Sequence, residues 1–316
     1  MNPACDGLSI RTTIERSNYI MGLENIKQVT VIGAGTMGSG IAELLSRVGG
    51  YQVVLCDTTD EVVQRGLQNQ RNNLQKFSVD KGKITAEEME AILGRIKTMT
   101  SPAEAAAQAD FVIEAVFENM ELKKTIFQKL DEATPPHAIL ASNTSTLSIT
   151  EIASATNKPE KVIGTHFFNP VPLMGAVEII RGVLTSDETV ELVKNLVLKL
   201  DKTPVVVKDS PGFASTRLGV ALFLEASKML EEGIASVKDI DRGARLFYAH
   251  RMGPFETCDI VGLDARLNNL NALYQATGDP KWAPPLLLKQ LVSAGYIGKK
   301  PGSKGGYYAY FGLEKD

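Results

Sequence analysis

Three scarcities in the sequence limit the class of protein it can encode. Cysteine occurs three times in 316 residues, at Cys5, Cys56 and Cys258, which is too few and too scattered for a disulfide framework or a metal-ligand spacing. No apolar run approaches the roughly eighteen residues of a membrane-spanning helix. A net charge of −3 offers no basic excess for nucleic acid. We therefore expect a cytoplasmic protein that binds no metal, membrane or nucleic acid.

The length allows two domains preceded by a short polar segment. Residues 1–25 lack the apolar stretch of a secretory signal, and we interpret them as an N-terminal extension. Proline and glycine near position 210 mark a domain junction. The predicted division is residues 26–209 for the first domain and residues 210–316 for the second.

A glycine-rich motif directly follows the first strand signal. Residues 27–32 predict a short apolar strand, residues 33–38 read GAGTMG, and residues 39–48 repeat apolar side chains at helical spacing. Strand, GxGxxG and helix in this order are the context that the dinucleotide-binding fingerprint requires.

Each residue of this loop has a defined task in such a site. Gly33 makes the tight turn, Gly35 lets the backbone approach a pyrophosphate, and Gly38 allows the helix to pack closely on the strand. Thr36 and Met37 lie between them at the predicted helix N-terminus, where free N–H groups attract phosphate.

The second predicted strand, residues 51–56, ends in an acid at the position expected for ribose recognition. Asp57 follows Gly38 by nineteen residues. A carboxylate there suits a ribose with free hydroxyls and repels a 2′-phosphate. The sequence therefore predicts NAD, rather than NADP, as the cofactor.

The stretch THFFNPVP at residues 165–172 carries the acid–base candidates. His166 lies near the end of a predicted strand, and the prolines after Asn169 force the chain to turn. Residues 176–180 predict a return strand that would bring Glu178 back beside His166. A carboxylate on one imidazole nitrogen leaves the other free to take a proton. The alternative is a hydrogen-bonded strand-end histidine without a catalytic role.

Polar residues follow two further predicted strands, at the sheet edge where doubly wound folds bind ligands. Glu118 and Lys123 come after a continuous apolar strand. Ser145 belongs to the cluster SNTST at residues 142–146, for which the alternative interpretation is a cap for the next helix. Residues 61–98 predict a helical pair overhanging the cofactor cleft, where Lys76 is either a phosphate contact or a solvated side chain.

The remainder of the chain predicts helices only. Residues 213–230 form a long helix with few charges, which we expect to be buried against its own domain and a second subunit. The predicted fold class is α/β: a Rossmann-type doubly wound sheet domain followed by an all-helical C-terminal domain, assembled as a homodimer.

Seven motifs together resemble the 3-hydroxyacyl-CoA dehydrogenases, and most closely the bacterial 3-hydroxybutyryl-CoA dehydrogenases. They occur in order along nearly the whole chain from residue 26: GAGTMGSGIA (33–42), ENMELKK (118–124), ASNTSTLSIT (141–150), HFFNPVP (166–172), PGF (211–213), MGPFE (252–256) and VGLD (261–264). The resemblance implies a Rossmann domain, a helical dimerisation domain and NAD-dependent oxidation of the 3-hydroxyl of an acyl-CoA. The expected substrates are short-chain thioesters such as 3-hydroxybutyryl-CoA.

The resemblance also assigns roles by position. The catalytic pair falls on His166 and Glu178, and the active-site serine and amide fall on Ser145 and Asn169, which would contact both substrate and cofactor. The remaining family contacts are Glu118, Lys123 and Lys300 for the cofactor and Lys76 for CoA.

Three departures from the family pattern concern the substrate. Thr216 stands where PGFxxNR has a substrate-side Asn, Gly175 replaces a Lys, and the GKGFY ending reads GSKGGYY at residues 302–308. Two alternatives therefore stay open: a dehydrogenase of free hydroxy acids on the same fold, and an NAD-binding protein with structural work and little turnover, as in the related lens lambda-crystallins.

Overall fold

An eight-stranded sheet forms the centre of the first domain in the computed structural model, which describes residues 22–314. The strand order is β3-β2-β1-β4-β5-β6-β7-β8. Neighbouring strands are parallel except for the antiparallel pair β6 and β7. The strands are β1 Gln28–Ile32, β2 Gln52–Cys56, β3 Ile96–Met99, β4 Phe111–Glu114, β5 Ile139–Ser142, β6 Val162–Phe167, β7 Ala176–Arg181 and β8 Thr203–Lys208.

Helices connect the strands of the first domain, and further helices follow β8. Those of the first domain are α1 Thr36–Arg47, α2 Asp60–Leu74, α3 Ala86–Gly94, α4 Pro102–Ala106, α5 Met120–Ala133, α6 Ile149–Ala153 and α7 Asp187–Lys199. Those beyond the sheet are α8 Ser215–Glu231, α9 Val237–Tyr248, α10 Pro254–Val261, α11 Leu263–Thr277, α12 Leu286–Ser293 and α13 Tyr307–Tyr310.

Alternation along the strands builds one hydrophobic core on each face of the sheet. Val53 and Leu55 belong to one core, whereas Val54 and Cys56 belong to the other, because successive side chains of a strand point to opposite faces. All four residues of β4 are buried, as the continuous apolar run predicted. The order of the first six strands reverses between β1 and β4, which confirms the predicted doubly wound architecture.

The helical pair after β2 is shorter than predicted. Helix α2 passes into a π-helical turn at Gln75–Val79, and α3 ends at Gly94. The prediction that the helical pair continues to residue 98 was wrong, because Ile96–Met99 is a strand that pairs with β2. Its sequence IKTM is short and partly exposed, so this edge strand lacks the apolar run that revealed the central strands.

The helices after the junction enclose a third core. Phe223, Phe255 and Tyr307 meet there in edge-on and tilted ring contacts. Helix α10 begins at Pro254, a residue that favours the first helical turn. Within the described residues, no helix is long and apolar enough to cross a membrane.

The structure describes only the last four residues, 22–25, of the predicted N-terminal extension. Its residues 1–21, with Cys5, lie outside the described residues. The following Leu23–Asn25 form a 3-10 turn, and Leu23 packs against the core of the first domain.

Candidate active site

The antiparallel pair β6 and β7 joins the two acid–base candidates. His166 lies directly opposite Glu178 in the register, and His166 Nδ1 is 3.2 Å from Glu178 Oε2. Both residues are buried, with exposed fractions of 8% and 3%. The expected return strand is confirmed, and it places the carboxylate against the imidazole.

The Glu178 carboxylate also receives three donors from the start of α8. Its Oε1 accepts the N–H groups of Ala214 and Ser215 at 2.7 and 3.0 Å, and its Oε2 accepts the Ser215 hydroxyl at 2.6 Å. Burial raises the pKa of the Glu178 carboxyl, but the hydrogen bonds from His166, Ser215 and Ala214 outweigh it and lower the pKa to about 2.

An ionised carboxylate fixes the tautomer of the histidine. Because Glu178 can only accept a hydrogen bond near neutral pH, Nδ1 of His166 carries the proton that it donates. The Nε2 atom is therefore left as the proton acceptor. The ring of Phe168, with its centroid 4.4 Å away, packs against this imidazole.

Ser215 is a residue that sequence reasoning missed. The stretch at residues 211–217 drew attention only to Thr216, yet the Ser215 hydroxyl makes the short bond to Glu178. The two residues are 37 positions apart, and no local pattern announces their contact. Only the junction, which folds α8 back onto the sheet, brings them together.

Glu118 holds the loop that carries Ser145. Its Oε1 accepts hydrogen bonds from the backbone N–H groups and hydroxyls of Ser145 and Thr146 and from the Thr144 hydroxyl. Burial raises the pKa of the Glu118 carboxyl, but these bonds and the charge of Lys123 bring the pKa below its usual value. Ser145 is therefore fixed in place at the carboxyl edge of the sheet.

A buried ion pair between Lys123 and Glu114 lies next to Glu118. Lys123, only 1% exposed, places Nζ 2.6 Å from Glu114 Oε1 and 3.4 Å from Glu118 Oε2. Ser142 donates its hydroxyl to the other oxygen of Glu114. Glu114, the last residue of β4, therefore anchors the lysine that pairs with Glu118.

The polar cluster after β5 serves this edge rather than capping a helix. Helix α6 is capped by Ser148, so the capping interpretation was wrong for residues 142–146. Asn143 instead accepts the N–H of Phe167, at 2.9 Å, with its side-chain oxygen. This bond ties the segment after β5 to Phe167, the last residue of β6, which lies two residues before the exposed Asn169.

The glycine loop has the form of an open phosphate cradle. A Cβ on Gly33 would lie 2.6 Å from the Ala115 carbonyl oxygen, and one on Gly38 would clash with the Gly33 carbonyl oxygen. At Gly35, by contrast, an added Cβ would meet nothing within 4 Å. Since Gly35 also provides no side-chain cap for α1, the first N–H groups of this helix face open space that suits a pyrophosphate.

Asp57 borders the same cradle. Its Oδ2 accepts the Ala34 N–H and its Oδ1 accepts the Thr58 N–H, both at 2.7 Å. The carboxylate thus braces the glycine loop while lying at the end of β2, where a ribose would be recognised. Thr36 and the half-buried Met37 open α1 beside it. These residues fit a dinucleotide.

Three predicted site residues lie apart from this cluster. Lys76 is exposed on the π-helical turn, with Nζ 5.3 Å from the ring centroid of Phe77. Lys300 pairs with Asp264 at the start of α11, 2.6 Å between Nζ and Oδ1. Thr216 lies in the first turn of α8 and lines a cleft between the sheet domain and α11.

Family models match both parts of the chain. Residues 28–210 match the 3-hydroxyacyl-CoA dehydrogenase NAD binding domain, and residues 212–310 match the 3-hydroxyacyl-CoA dehydrogenase C-terminal domain. The probable 3-hydroxybutyryl-CoA dehydrogenase of Bacillus subtilis is 45% identical over 285 residues, which cover 90% of this chain and 98% of that protein.

Other relatives extend this similarity. The mitochondrial hydroxyacyl-coenzyme A dehydrogenase of Rattus norvegicus is 39% identical, with 90% of this chain and 91% of that protein covered. The crystal structure of (S)-3-hydroxybutyryl-CoA dehydrogenase PaaH1 from Ralstonia eutropha superposes with a TM-score of 0.84 at 42% identity, covering 89% of this chain and 99% of that one.

The hydrogen bonds to Glu178 predict a pH-dependent contribution to stability. We expect Glu178→Gln to lower the free energy of unfolding by about 3 kcal/mol at pH 7, the value of a pKa lowered from 4.5 to about 2. Because the folded-state pKa is depressed, this stabilisation is complete above the unfolded-state pKa and is lost as the pH falls from about 4.5 towards 2.

Urea unfolding from pH 7 down to pH 3 measures the effect. The stability gap between the parent and Glu178→Gln should narrow as the pH falls, whereas Glu132→Gln, at an exposed site on α5, should follow the parent throughout. A gap that stays constant across this range contradicts the prediction.

Proposed function

Because the chain belongs to the 3-hydroxyacyl-CoA dehydrogenase family and is an NAD-dependent oxidoreductase of that class, we propose that it interconverts (3S)-3-hydroxyacyl-CoA and 3-ketoacyl-CoA. The observation that carries the proposal is the buried His166–Glu178 pair at the carboxyl edge of the sheet. Relatives named 3-hydroxybutyryl-CoA dehydrogenase favour 3-hydroxybutyryl-CoA and acetoacetyl-CoA as the short-chain substrate pair.

His166 is the proposed general acid and base. NAD, when bound, supplies the acceptor for the hydride that leaves C3 of the substrate. Nε2 of His166 takes the proton of the 3-hydroxyl, and the negative charge of Glu178 stabilises the imidazolium that results. In the reverse direction the imidazolium returns this proton to the oxygen of the 3-keto group.

Two neutral groups are proposed to bind the same oxygen. The Ser145 hydroxyl and the Asn169 amide donate hydrogen bonds as charge develops on the C3 oxygen. The bond from the Ser145 N–H holds the loop on Glu118. The Ser145 hydroxyl donates its single proton to Glu118 at 3.2 Å in this structure, and it turns that proton to the C3 oxygen when the substrate binds. Asn169 lies in the exposed turn after β6, three residues beyond His166.

The remaining proposed contacts bind either the cofactor or the substrate. The glycine loop receives the pyrophosphate and Asp57 the ribose, while Glu118 and, through it, the buried Lys123 serve the nicotinamide side. Lys300 is proposed to contact the cofactor after its ion pair with Asp264 breaks. Lys76 is proposed to bind a CoA phosphate and Thr216 to border the acyl group.

Replacing His166 tests the assignment of the base. His166→Gln should lower kcat for NADH oxidation with acetoacetyl-CoA by a factor of about 10² to 10⁴, since glutamine cannot carry the proton. NADH binding, measured by its fluorescence, should persist. His250→Gln, at an exposed loop histidine, is the matched control and should keep the parental rate.

The substrates in the same assay separate the proposal from its alternatives. Turnover of acetoacetyl-CoA but not of free acetoacetate supports a CoA thioester enzyme. Equal turnover of the free acid, or an unchanged rate in His166→Gln, contradicts the proposed chemistry. Tight NADH binding without turnover of any thioester would instead support a structural role.

Asp57 is predicted to set the choice between NADH and NADPH. Asp57→Asn removes the charge that repels a 2′-phosphate but keeps an oxygen that can accept the Ala34 N–H. The ratio of kcat/KM for NADPH to that for NADH should rise by about tenfold, equivalent to roughly 1.4 kcal/mol. Asp60→Asn carries the same charge change at the exposed start of α2 and should leave the ratio unchanged; an equal rise in both variants would show a general charge effect instead.

A homodimer formed through the helical domain is also proposed. Only one side of α8 is buried within the chain, and Leu218 on its other side is 71% exposed. At the end of α9, Phe247 is 80% exposed. Such apolar surface is typical of an interface.

The domain division at residues 209 and 210 and the cytoplasmic location stay predictions.

Sedimentation velocity tests this interface. The double variant Leu218→Glu/Phe247→Glu should shift the protein from dimer to monomer at micromolar concentration, because two charges would be buried at the contact. Val183→Glu, an equally exposed apolar site in the first domain (78% exposed), should stay dimeric. A parent protein that sediments as a monomer rules out the proposed interface.

A further inference from the structure

Lys202 is a buried lysine beside the turn that connects β6 to β7. Only 8% of the residue is exposed. Its Nζ donates a hydrogen bond to the main-chain carbonyl oxygen of Pro172, 3.1 Å away. This carbonyl belongs to residues 168–175, the Asn169 turn. A buried ammonium that donates to a neutral oxygen costs free energy relative to an apolar side chain, so stability alone does not account for a lysine here.

The end of α7 directs Lys202 towards this turn. The Asp201 N–H donates to the Leu198 carbonyl at 3.0 Å, and the Lys202 N–H donates to the Val197 carbonyl at 3.1 Å. This pair of bonds is the Schellman motif of a helix C-terminus, with Asp201 in the left-handed conformation at φ 55°. The chain therefore turns sharply after α7 and enters β8 at Thr203.

The direction of the last strands places this corner at the edge of the sheet where His166 lies. Strand β7 is antiparallel to β6 and begins where β6 ends, and β8 is parallel to β7, with Thr203 opposite Ala176. The Thr203 N–H also donates to the Gly175 carbonyl, at 2.8 Å. Lys202, one residue before β8, is thereby brought against the Asn169 turn.

The Asn169 turn is held on two sides. On one side Val171, 3% exposed, packs into the core of the first domain, and a Cβ at Gly40 of α1 would lie 3.2 Å from its side chain. On the other side Lys202 holds the Pro172 carbonyl. Asn169 itself is exposed, so the position of its amide depends on these contacts of the following residues.

The charges around Lys202 do not favour an ammonium. Burial lowers the pKa of Lys202, and the positive charge of Arg47 lowers it further, whereas the carboxylates of Glu43 and Asp201 oppose this change. Glu43 is also the partner of Arg47 in an ion pair on α1. The surroundings therefore disfavour the charged form that donates to the turn, and its retention indicates a task other than stability.

Resting on the proposed function, we propose that Lys202 is a positioning residue for the reaction: its bond to Pro172 holds the Asn169 turn so that the Asn169 amide reaches the C3 oxygen of the substrate. Lys202 acts through Asn169 and contacts neither substrate nor cofactor. Its buried charge lowers the stability of the fold and increases the rate of the reaction.

Replacing Lys202 should therefore change stability and activity in opposite directions. Lys202→Met keeps an unbranched apolar side chain and removes the ammonium. The midpoint of urea unfolding should stay at or above that of the parent. In contrast, kcat with acetoacetyl-CoA should fall roughly tenfold, since a small displacement of a positioned group slows a reaction strongly. The KM and the affinity for NADH should stay parental. A parental kcat, or a joint loss of stability and activity, overturns the proposal.

Lys158→Met is the matched control. Lys158 is also partly buried, and its Nζ donates to the Pro135 carbonyl at 3.3 Å. It precedes β6, at the end of the strand opposite to His166. The same substitution there should leave kcat at the parental value. An equal fall of kcat in both variants contradicts a specific role for Lys202.

A double-mutant cycle tests whether Lys202 acts through Asn169. Asn169→Ala should lower kcat by about 10². The double variant Lys202→Met/Asn169→Ala should be no slower than Asn169→Ala alone, because the amide to be positioned is gone. Losses that multiply would overturn the proposal. A slow Asn169→Ala with a fast Lys202→Met overturns this inference alone, whereas a parental rate in Asn169→Ala overturns the proposed role of Asn169 and this inference with it.

Hydrogen exchange provides a readout that needs no turnover. The N–H groups of Leu173 and Met174 both donate to the Pro170 carbonyl within the turn, at 3.0 and 3.1 Å. In the NADH-bound protein, a peptide covering residues 168–175 should exchange at least threefold faster in Lys202→Met than in the parent, and at the parental rate in Lys158→Met. Equal exchange in the parent and Lys202→Met would show that the bond to Pro172 does not hold the turn and would refute the proposal.

Discussion

The carboxylate of Glu178 is the contact on which the arrangement of the two domains and of the proposed reaction centre depends. It faces His166 across the antiparallel pair and receives the first N–H groups of α8. A helix N-terminus carries unsatisfied donors and partial positive charge, so an ionised acid is its natural partner. One buried group therefore both orients the imidazole and fixes where the second domain begins.

Because the start of α8 shares the Glu178 carboxylate, the hydrogen bond between Glu178 and His166 is comparatively long. Four donors divide between the two oxygens of Glu178, and the imidazole N–H, at 3.2 Å, is the longest of these contacts, whereas Ser215 Oγ lies at 2.6 Å. The carboxylate is thus held mainly by α8, and the histidine is held by the carboxylate. Any movement of α8 relative to the sheet would change the position of His166, so the proposed acid–base chemistry would depend on the geometry of the two domains.

The sequence predicted those parts of the fold and site that depend on residues close together along the chain. Gly33, Gly35 and Gly38 could be interpreted because a tight turn and a close approach need a missing side chain, and the return of Glu178 to His166 follows from a turn between two strand signals. Ser215 and Glu114 could not be found this way, because each acts through a partner supplied by tertiary folding. The edge strand Ile96–Met99 was missed because one neighbour and partial exposure leave it little apolar patterning.

The departures from the family pattern fall outside this hydrogen-bonded centre. A Cβ on Gly175 would meet nothing within 4 Å, so the missing lysine removes an exposed charge and leaves the packing of β7 intact. Thr216 points to the same conclusion from the other domain: it lines the cleft, while its neighbour Ser215 keeps the bond to Glu178. Substitution at these two positions can therefore change what is accommodated beside the proposed reaction centre without altering the groups proposed to transfer the proton.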